Sequence, residues 1–412
     1  MKQRIVILTP GQLGSNPRVV KEADALHAAG FDVHVIATKV SDFVESRDRE
    51  VLATVPWTAE RIAFDGLAVR RRERAVQEVA QRMRRLAPTR TLDALAQSAF
   101  ARQLARAACR RSAALTIAHY PAALSAAAAA ARTHEGLFAF DAEDFHPGDL
   151  PDSPEHSAAT DLIRRIEGRH LPGAAYVTAA SPGIADAYAK TYAIARPTVV
   201  LNVFGLDTAP CEAAVARPAL GPSIYWFSQV RGPDRGLECA LEAIAQAKSQ
   251  PHLYLRGTGR QPFDEALRGR ADALGVAGRL HLLDPEPPSQ MVRLAAQYDL
   301  GLVGETGTTH NRRIALTNKQ FTYLLAGVPA VMSDVPAHVD FAAEADGAAF
   351  LYRTEDPASL AKVLDDLIGD PERLAAARAR AFALGRERYN WDREKAVLVE
   401  TVERALHKGT TR

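Results

Sequence analysis

The sequence predicts an α/β protein with two doubly wound, Rossmann-like parallel-sheet domains. At 412 residues the chain is long enough for two domains of about 200 residues each. It opens with a continuous apolar run, RIVILTP at residues 4–10, then a glycine-bearing turn, an amphipathic helix and a second apolar run, FDVHVIAT. Such runs are typical of strands that are buried on both faces of a parallel sheet. The same pattern restarts at residues 223–248, with SIYWFSQV and RGPDRGLECALEAIAQAK.

The composition and the cysteine pattern indicate a globular protein of a reducing compartment. With 47% apolar and 24% charged residues, the chain has enough apolar side chains for buried cores. Cys109, Cys211 and Cys239 lie far apart, with no His at metal-ligand spacing, so we expect free thiols. MKQRIVILTP lacks the pattern of a signal peptide, and no window approaches the roughly eighteen apolar residues of a membrane span. We therefore expect a cytoplasmic protein.

The segment at residues 66–115 is strongly basic, although the whole chain carries a net charge of only +2. It has twelve Arg against three acids, Glu73, Glu78 and Asp93, with apolar residues at helical spacing. Three interpretations compete: a solvated helical face, peripheral contact with anionic lipid headgroups at the inner face of a membrane, and nucleic-acid binding. Phe100 is its only aromatic residue, which disfavours nucleic acid because single-strand binders stack bases on aromatic rings. We expect no nucleic-acid partner.

Two loops in the N-terminal half carry residues suited to binding or catalysis. The first, GQLGSNPR, lacks the G-x-G-x-x-G pattern of dinucleotide-binding proteins, and its candidates compete with ordinary turn chemistry. They are Gly14, Asn16 and Arg18. The second loop follows the apolar run GLFAF, at the strand end where α/β sheets place ligand chemistry. Its polar residues are Asp141, Glu143, Asp144 and His146.

Residues 317–334, TNKQFTYLLAGVPAVMSD, combine a polar start, an apolar helical run and a short strand. Thr317 is a natural N-cap, so amides near Asn318 and the positive end of the helix dipole would face the space before the helix. Lys319 adds a positive charge to this first turn, where it opposes the dipole. The combination predicts a site for an anion such as a phosphate. The alternative is the ordinary helix cap of an α/β domain.

NKQFTYLLAGVPAV resembles the NK-x-x-E-Y-x-x-A-G-x-P-V segment of nucleotide-sugar glycosyltransferases with the GT-B fold, in particular the retaining family 4. The resemblance implies two Rossmann-like domains that face a central cleft. They would span residues 1–208, which bind the acceptor and include the basic segment, and residues 221–388, which bind the donor. Residues 209–222, rich in Ala and Pro, would link them. A C-terminal helix at about 391–412 would cross back to the first domain.

The resemblance also implies a site for the donor diphosphate. Arg235, in the turn after SIYWFSQV, corresponds to a family Lys that binds the diphosphate. Arg231 lies one residue away from the position of the family's Arg. The helix start contributes Thr317, Asn318 and Lys319.

The ribose contact departs from the family pattern. Thr322 stands where the family usually carries a ribose-binding Glu, and Ile314 stands where its partner Glu often lies. A hydroxyl still forms a hydrogen bond with ribose, but without the charge that strengthens it. We therefore predict Gln229, Glu305 and Thr322 as candidates for contacts with the donor sugar and ribose. For Glu305, a structural role in its loop is the alternative.

In the family, a D-x-H-E cluster occupies the loop after the GLFAF run, with its His directed at the donor sugar. Here Glu143 stands in the His position, and His146 follows three residues later. The resemblance implies catalytic roles for Glu143, Asp144 and His146, toward a sugar hydroxyl or the acceptor proton. The first turn, with its three candidates, would face the same cleft.

These features predict a glycosyltransferase that moves a sugar from a nucleotide diphosphate donor to an acceptor hydroxyl. The resemblance implies retention of configuration and a glycan or lipid-linked acceptor, in glycan, polysaccharide or glycolipid synthesis. No D-x-D motif or His/Asp cluster has metal-binding spacing, so we expect neither a metal nor a cofactor. Two alternatives remain: a nucleotide-sugar epimerase on the same fold, and a non-catalytic partner subunit, which Thr322 and Ile314 would favour.

Overall fold

The computed structural model of the chain describes residues 2–64, 66–211 and 220–410. The chain divides into two compact units, Met1–Val200 with Lys395–Arg412, and Leu201–Glu394. Residues 212–219, most of the predicted linker, lie outside the described residues. The three cysteines are unpaired, as predicted. Among the helices described here, none is long and apolar enough to cross a membrane.

The first unit is built on a parallel sheet whose described part has seven strands. They are β1 (Arg4–Leu8), β2 (Asp32–Lys39), β3 (Thr58–Ala63), β4 (Leu115–His119), β5 (Leu137–Ala142), β6 (Val177–Ala179) and β7 (Thr198–Val199). The order across the sheet is β3-β2-β1-β4-β5-β6-β7. Chain order therefore reverses between β1 and β4, which pair directly, with Ile7 opposite Ile117. Open α/β sheets bind ligands at the carboxyl ends of strands beside such a switch point.

Eight described helices of the first unit lie between or after its strands in the sequence. They are α1 (Pro17–Ala28), α2 (Glu45–Thr54), α3 (Leu67–Met83), α4 (Arg90–Gln97), α5 (Ala101–Cys109), α6 (Tyr120–His134), α7 (Pro154–His170) and α8 (Pro182–Tyr192). Asn16 caps α1 by accepting the Val19 amide at 3.3 Å, and Pro17 fits the first helical position. The basic segment is helical, as predicted, but it is divided into three helices. Thr89 caps the second of these helices.

The second unit repeats the plan with six described parallel strands. They are β8 (Ser223–Val230), β9 (His252–Thr258), β10 (Leu280–Leu283), β11 (Leu300–Val303), β12 (Ala330–Ser333) and β13 (Ala349–Tyr352). The order is β10-β9-β8-β11-β12-β13, so the switch point lies between β8 and β11. Both sheets confirm the predicted pair of doubly wound α/β domains.

The helices of the second unit pack closely on its sheet. They are α9 (Leu237–Gln246), α10 (Gln261–Ala273), α11 (Met291–Ala295), α12 (His310–Ile314), α13 (Asn318–Leu325), α14 (Pro336–Glu344), α15 (Pro357–Ile368) and α16 (Pro371–Glu387). The last helix, α17 (Trp391–Thr410), begins in this unit, and its residues from Lys395 onward belong to the first unit. A Cβ added to Gly301 would lie 2.3 Å from the Tyr323 ring, so glycine in β11 lets α13 approach the sheet. Gly385 has the same effect between α16 and α13, because its Cβ would lie 2.5 Å from the Leu325 backbone.

Candidate functional site

The first unit gathers polar side chains at the carboxyl ends of β4 and β5. Directly after β4, Tyr120 has a φ of 66°, in the left-handed region that residues with a Cβ rarely adopt. The chain therefore turns sharply from the strand into α6, immediately after His119. Backbone strain of this kind is often found at functional sites.

His119 is fully buried and lies among three carboxylates. Its Nε2 lies 2.5 Å from Glu22 of α1, and its Nδ1 lies 3.1 Å from Glu143 and 3.3 Å from Asp141. Burial alone would lower the pKa of His119, but the charge of Glu22 and a hydrogen bond to Glu143 raise it to about 10. The imidazole is therefore a cation at neutral pH. Sequence analysis missed His119, for which the only signal was a polar end to the apolar run LTIAH.

Arg18 and Asp141 form a buried ion pair beside this imidazolium. Nε and Nη2 of Arg18 donate to the two carboxylate oxygens at 2.6 and 2.7 Å. Thr178 also donates to Asp141, at 2.6 Å, and Arg18 donates to the Val200 carbonyl at 2.9 Å. Burial alone would raise the pKa of Asp141, but Arg18 holds it at about 2. Arg18 thus fixes Asp141 inside the unit, and its predicted role as a ligand-contacting loop residue finds no support in this geometry.

Glu143 is more exposed than the other two carboxylates, with 15% of its side chain accessible. Asn16 donates to its Oε1 at 3.2 Å, and the Tyr120 hydroxyl donates to its Oε2 at 3.4 Å. Burial would raise the pKa of Glu143, but His119 lowers it below its usual value. A carboxylate held in one orientation and partly accessible is suited to accept a hydrogen bond from a sugar hydroxyl. The structure brings Asn16 and Glu143 together, although they are 127 residues apart in sequence.

His119, Asp141 and Glu143 each place one atom that could bind a metal within 4.8 Å of the others. The carboxylate of Asp141 already has partners, since Arg18 and Thr178 donate to it. A protonated imidazole, moreover, has no lone pair to offer a metal. The donor set fits an internal ion-pair network better than a metal site.

His146 lies in a short turn after β5 and is buried. Its Nδ1 lies 2.9 Å from the Tyr188 hydroxyl and 3.3 Å from Glu167. Burial would lower the pKa of His146, but Glu167 raises it. Its Nε2 has no hydrogen-bond partner among the described residues. An imidazole nitrogen without a partner is suited to form a hydrogen bond with a ligand. Asp144, two residues earlier, is half-buried.

Gly14 has a structural explanation. Its amide donates to Asp48 at 2.7 Å, and a Cβ at this position would lie 2.6 Å from the Cβ of Arg47. Glycine therefore lets the first loop pack against α2. The predicted ligand role of Gly14 finds no support in this packing.

In the second unit, the loops after β8 and β11 come into backbone contact. A Cβ added to Gly236 would lie 2.7 Å from the carbonyl oxygen of Gly304, and one added to Gly304 would lie 2.8 Å from that of Arg235. Gly236 also has a φ of 65°, which glycine adopts without strain. The two glycines therefore allow an approach that places Arg235 beside the loop after β11.

Three cations surround Glu305 in that loop, and we call Arg235, Arg312, Lys319 and Glu305 the cationic cluster. Glu305 lies 2.5 Å from Arg312 and 3.7 Å from Lys319. Burial lowers the pKa of Lys319; Glu305 opposes this effect, and the two arginines add to it. No hydrogen bond or ion pair engages the Arg235 guanidinium within the part of the chain that the structure describes. Three positive charges around one negative charge suit an anionic ligand.

Helix α13 begins at Asn318 with Thr317 at the N-cap position, as predicted. The Thr317 hydroxyl donates to Gln320 Oε1 at 3.1 Å, however, and does not cap a helix amide. Lys319 is 5% exposed, with its Nζ 5.8 Å from the centre of the Trp226 ring. The structure therefore brings the helix start, Lys319 and Arg235 to one edge of the second sheet. Arg312, which sequence analysis did not select, completes this arrangement.

Arg231 does not fit the predicted diphosphate role, because its guanidinium is bound inside the unit. Its Nε and Nη2 bind Asp264 of α10 at 3.1 and 2.7 Å. Its Nη1 donates to the carbonyls of Gly257 and Leu283 at 2.5 and 2.7 Å. The residue is only 5% exposed. Arg231 therefore ties the end of β8 to its neighbours, and the diphosphate prediction rests on Arg235 and Lys319.

The ribose candidates differ in what their side chains already contact. Thr322 is fully buried and donates to the Asn318 carbonyl of its own helix at 2.8 Å, so it fits a ribose contact poorly. Glu305 is bound by two cations. Gln229 is exposed at the end of β8 and stays a candidate. Ile314, which replaces a family Glu, is the last residue of α12.

Residues 14–203 match the family model described as a glycosyl transferase 4-like domain. This match and the two parallel-sheet units define the class: the chain has the GT-B fold and carries a glycosyl transferase 4-like domain over residues 14–203. The result is consistent with the predicted resemblance to family 4.

Three solved structures are similar to nearly the whole chain. HepE from Anabaena, in complex with UDP-glucose, has a TM-score of 0.71 and 17% identity, covering 98% of this chain and 100% of that one. Sucrose-phosphate synthase from Thermosynechococcus elongatus has a TM-score of 0.72 and 13% identity, with 100% of each chain covered. The α,α-trehalose 6-phosphate synthase from Burkholderia multivorans has a TM-score of 0.66 and 14% identity, covering 100% and 99%. At these identities the likeness shows the fold. No protein of curated function matches the chain in sequence.

Proposed function

We propose that the protein transfers a sugar from a UDP-sugar to an acceptor hydroxyl, and that its cationic cluster binds the donor diphosphate. The observation that carries this proposal is the excess of positive charge around buried Lys319 at the start of α13. Helix starts and cationic side chains together form phosphate sites. The HepE structures with UDP and with UDP-glucose support a UDP-linked donor.

The cluster would act on the leaving group. When the bond between the sugar and the diphosphate breaks, negative charge grows on the diphosphate oxygens. Arg235, Arg312 and Lys319 would stabilise that charge without rearrangement, and loss of one such donor typically costs on the order of 2.7–4 kcal/mol. Because these cations supply the charge stabilisation that a metal supplies elsewhere, we propose a metal-independent reaction. Retention of configuration is supported by the resemblance to family 4.

The first unit would supply the groups that contact sugar hydroxyls. Glu143 is held by three neighbours and is 15% accessible, so it would accept a hydrogen bond or a proton from a hydroxyl. His146 would form a hydrogen bond with a sugar hydroxyl through its unpartnered Nε2. Asp144 stays a candidate beside them.

The acceptor that we propose is a glycan or a lipid-linked molecule. Exposed apolar side chains in and just after α3 support peripheral contact with an anionic membrane, since they lie among the arginines of the basic segment. These side chains are Leu67, Val79, Met83 and Leu86. Interfacial helices combine apolar and cationic residues in this way. Flotation with vesicles of anionic and of neutral lipid tests this contact.

Thermal unfolding with a panel of nucleotide diphosphates and nucleotide sugars tests the donor site. A ligand at about 100 times its Kd should add roughly 2.7 kcal/mol to the free energy of unfolding. Lys319→Ala and Arg235→Ala should each remove most of the stabilisation. Arg74→Ala, at an exposed position of α3, should keep it. Equal stabilisation of all three variants would overturn the proposed diphosphate site.

Donor turnover separates the alternative functions. A glycosyltransferase forms a sugar-acceptor product, whereas an epimerase consumes the donor without any acceptor. A non-catalytic subunit that has lost its donor site gives no heat with any nucleotide diphosphate in calorimetry.

A further inference from the structure

A cavity of about 820 Å³ opens in the first unit at the amino-terminal edge of its sheet. The start of β5, at Leu137 and Phe138, forms one wall, and the last turns of α6, α7 and α17 form the others. At about 3.3 Å per residue, β5 carries the chain roughly 17 Å from this cavity to its carboxyl end. The cavity is therefore separate from the polar side chains around Glu143 at the carboxyl ends of β4 and β5.

The lining of the cavity is strongly basic. Its charged or titratable side chains are Arg90, Arg132, Arg169, His170 and Lys408, with no acid among the described residues that line it. Arg169 lies 2.9 Å from Asp93, but two further arginines share that carboxylate. Within the described ranges, no hydrogen bond or ion pair engages the guanidinium of Arg90 or Arg132. Arg90 and Arg132, both of which are exposed, thus have no carboxylate partner among the described residues.

The pKa of His170 is lowered by burial and by the same positive charges. It is 7% exposed, and its Nε2 lies 3.3 Å from the Ser125 hydroxyl. Burial lowers the pKa of His170, and the charges of Arg132, Arg169 and Arg90 lower it further, to about 4. The imidazole is therefore neutral at pH 7 and adds no charge of its own.

Helix dipoles account for only part of this arrangement. Cations in the last turns of α6, α7 and α17 are favourable, because each helix end carries about half a negative charge. Arg90, in contrast, is the first residue of α4, at the positive end of a helix, where the dipole opposes it. The dipole of α4 therefore does not account for Arg90, which is exposed, lines the cavity and is available to an anion.

We propose that this cavity binds a ligand that carries a phosphate group beside an apolar part. Arg90 and Arg132 would hold the phosphate, since planar guanidinium groups match phosphate oxygens in pairs. Phe138 and Pro172 would contact the apolar part. The volume lies in the usual range for small-molecule sites, about 300–1,000 Å³. The phosphate would come from a free phosphorylated metabolite or from a phospholipid headgroup.

NMR of the His170 imidazole tests the proposal, because a bound anion raises the pKa of this nearby imidazole. The full chain is titrated with inorganic pyrophosphate in one arm and with dispersed dihexanoyl phosphatidic acid in the other. We expect at least one probe to move the His170 resonances saturably. Tighter binding of pyrophosphate indicates a free phosphate ligand, and tighter binding of the phosphatidic acid indicates a lipid headgroup.

Two double variants and one single variant serve as comparisons. Arg90→Gln with Arg132→Gln should weaken binding at least about tenfold, because both charge-assisted contacts are lost. Arg71→Gln with Arg74→Gln removes the same charge from exposed positions of α3 and should leave binding unchanged. Lys319→Ala should also leave the His170 response unchanged, which separates this site from the donor site. No response to either probe, or equal binding by both double variants, would overturn the proposal.

Discussion

The ammonium group of Lys319 lies 3.7 Å from the carboxylate of Glu305, and both side chains are almost completely buried. Burial would raise the pKa of Glu305, but Lys319 and Arg312 lower it, so the group stays ionised. In the ligand-free protein, Glu305 therefore supplies the negative charge that a buried ammonium requires. The same carboxylate repels any phosphate that binds beside it.

Glu305→Gln should lower the free energy of unfolding of the ligand-free protein by about 3 kcal/mol, because Lys319 loses its counter-charge. Affinity for a nucleotide diphosphate should rise, since the repulsion is removed. Urea unfolding measures the first effect, and calorimetry measures the second. Asp366→Asn, which breaks the exposed pair with Lys362, should change both quantities little. A loss of affinity in Glu305→Gln would instead assign Glu305 a direct contact with the donor.

Arg231→Ala should destabilise the fold without changing the donor site. Asp264 would keep a buried charge with no partner, and breaking such a pair typically costs about 3–5 kcal/mol. The Kd of the folded protein for UDP should change by less than about threefold. Urea unfolding and calorimetry at low temperature separate these effects. Arg235→Ala should instead raise the Kd for UDP and change the free energy of unfolding little. A large rise in Kd for Arg231→Ala would support the predicted role of Arg231 in diphosphate binding.

In the second unit, the sequence predicted the start of α13 correctly. The helix start at Thr317 and the cation at Lys319 were visible as a cap and a charge in one short stretch. Arg231 and Arg235 lie four residues apart in one turn, and local pattern does not show which guanidinium is bound by Asp264, 33 residues away from Arg231. Contacts across that distance depend on the fold, so the pattern alone did not distinguish Arg231 from Arg235.

The first unit shows the same limit. The sequence identified the loop at Asp141 and Glu143 because polar residues follow an apolar run. It missed His119 and Glu22, since one closes a strand and the other lies inside an amphipathic helix, where a lone polar residue is usually solvated. Only the sheet order, which sets β1 beside β4, brings the two into contact 97 residues apart.

Glu143→Gln should reduce sugar transfer about 100-fold or more while UDP affinity stays unchanged. The amide keeps the size of the side chain but cannot take a proton, and general-base catalysis typically contributes at least this factor. Transfer rates and calorimetry measure the two quantities. Glu78→Gln, an exposed substitution on α3, serves as the control and should keep both. Full transfer activity in Glu143→Gln would show that this carboxylate has no catalytic role.

We expect the free energy of unfolding to depend on pH through His119. The imidazole lies beside three carboxylates, those of Glu22, Asp141 and Glu143. The pKa of His119 in the folded protein is about 10, above the usual value near 6.5, so folding favours the protonated form. Its contribution to stability is complete below about pH 6.5 and is lost as pH rises through about 10. The difference in free energy of unfolding between the wild type and His119→Gln should therefore shrink steadily between pH 7 and pH 10.5.

Urea unfolding of both proteins across this range measures that difference. Tyrosines, lysines and cysteines that titrate near pH 10 are common to both proteins, so their effects largely cancel in the subtraction. His134→Gln, at a partly exposed position at the end of α6, provides a matched control and should show no trend. A difference that stays constant to pH 10.5 would mean that His119 is neutral in the folded protein. Glu22 and Glu143 would then lack the cation that this network requires.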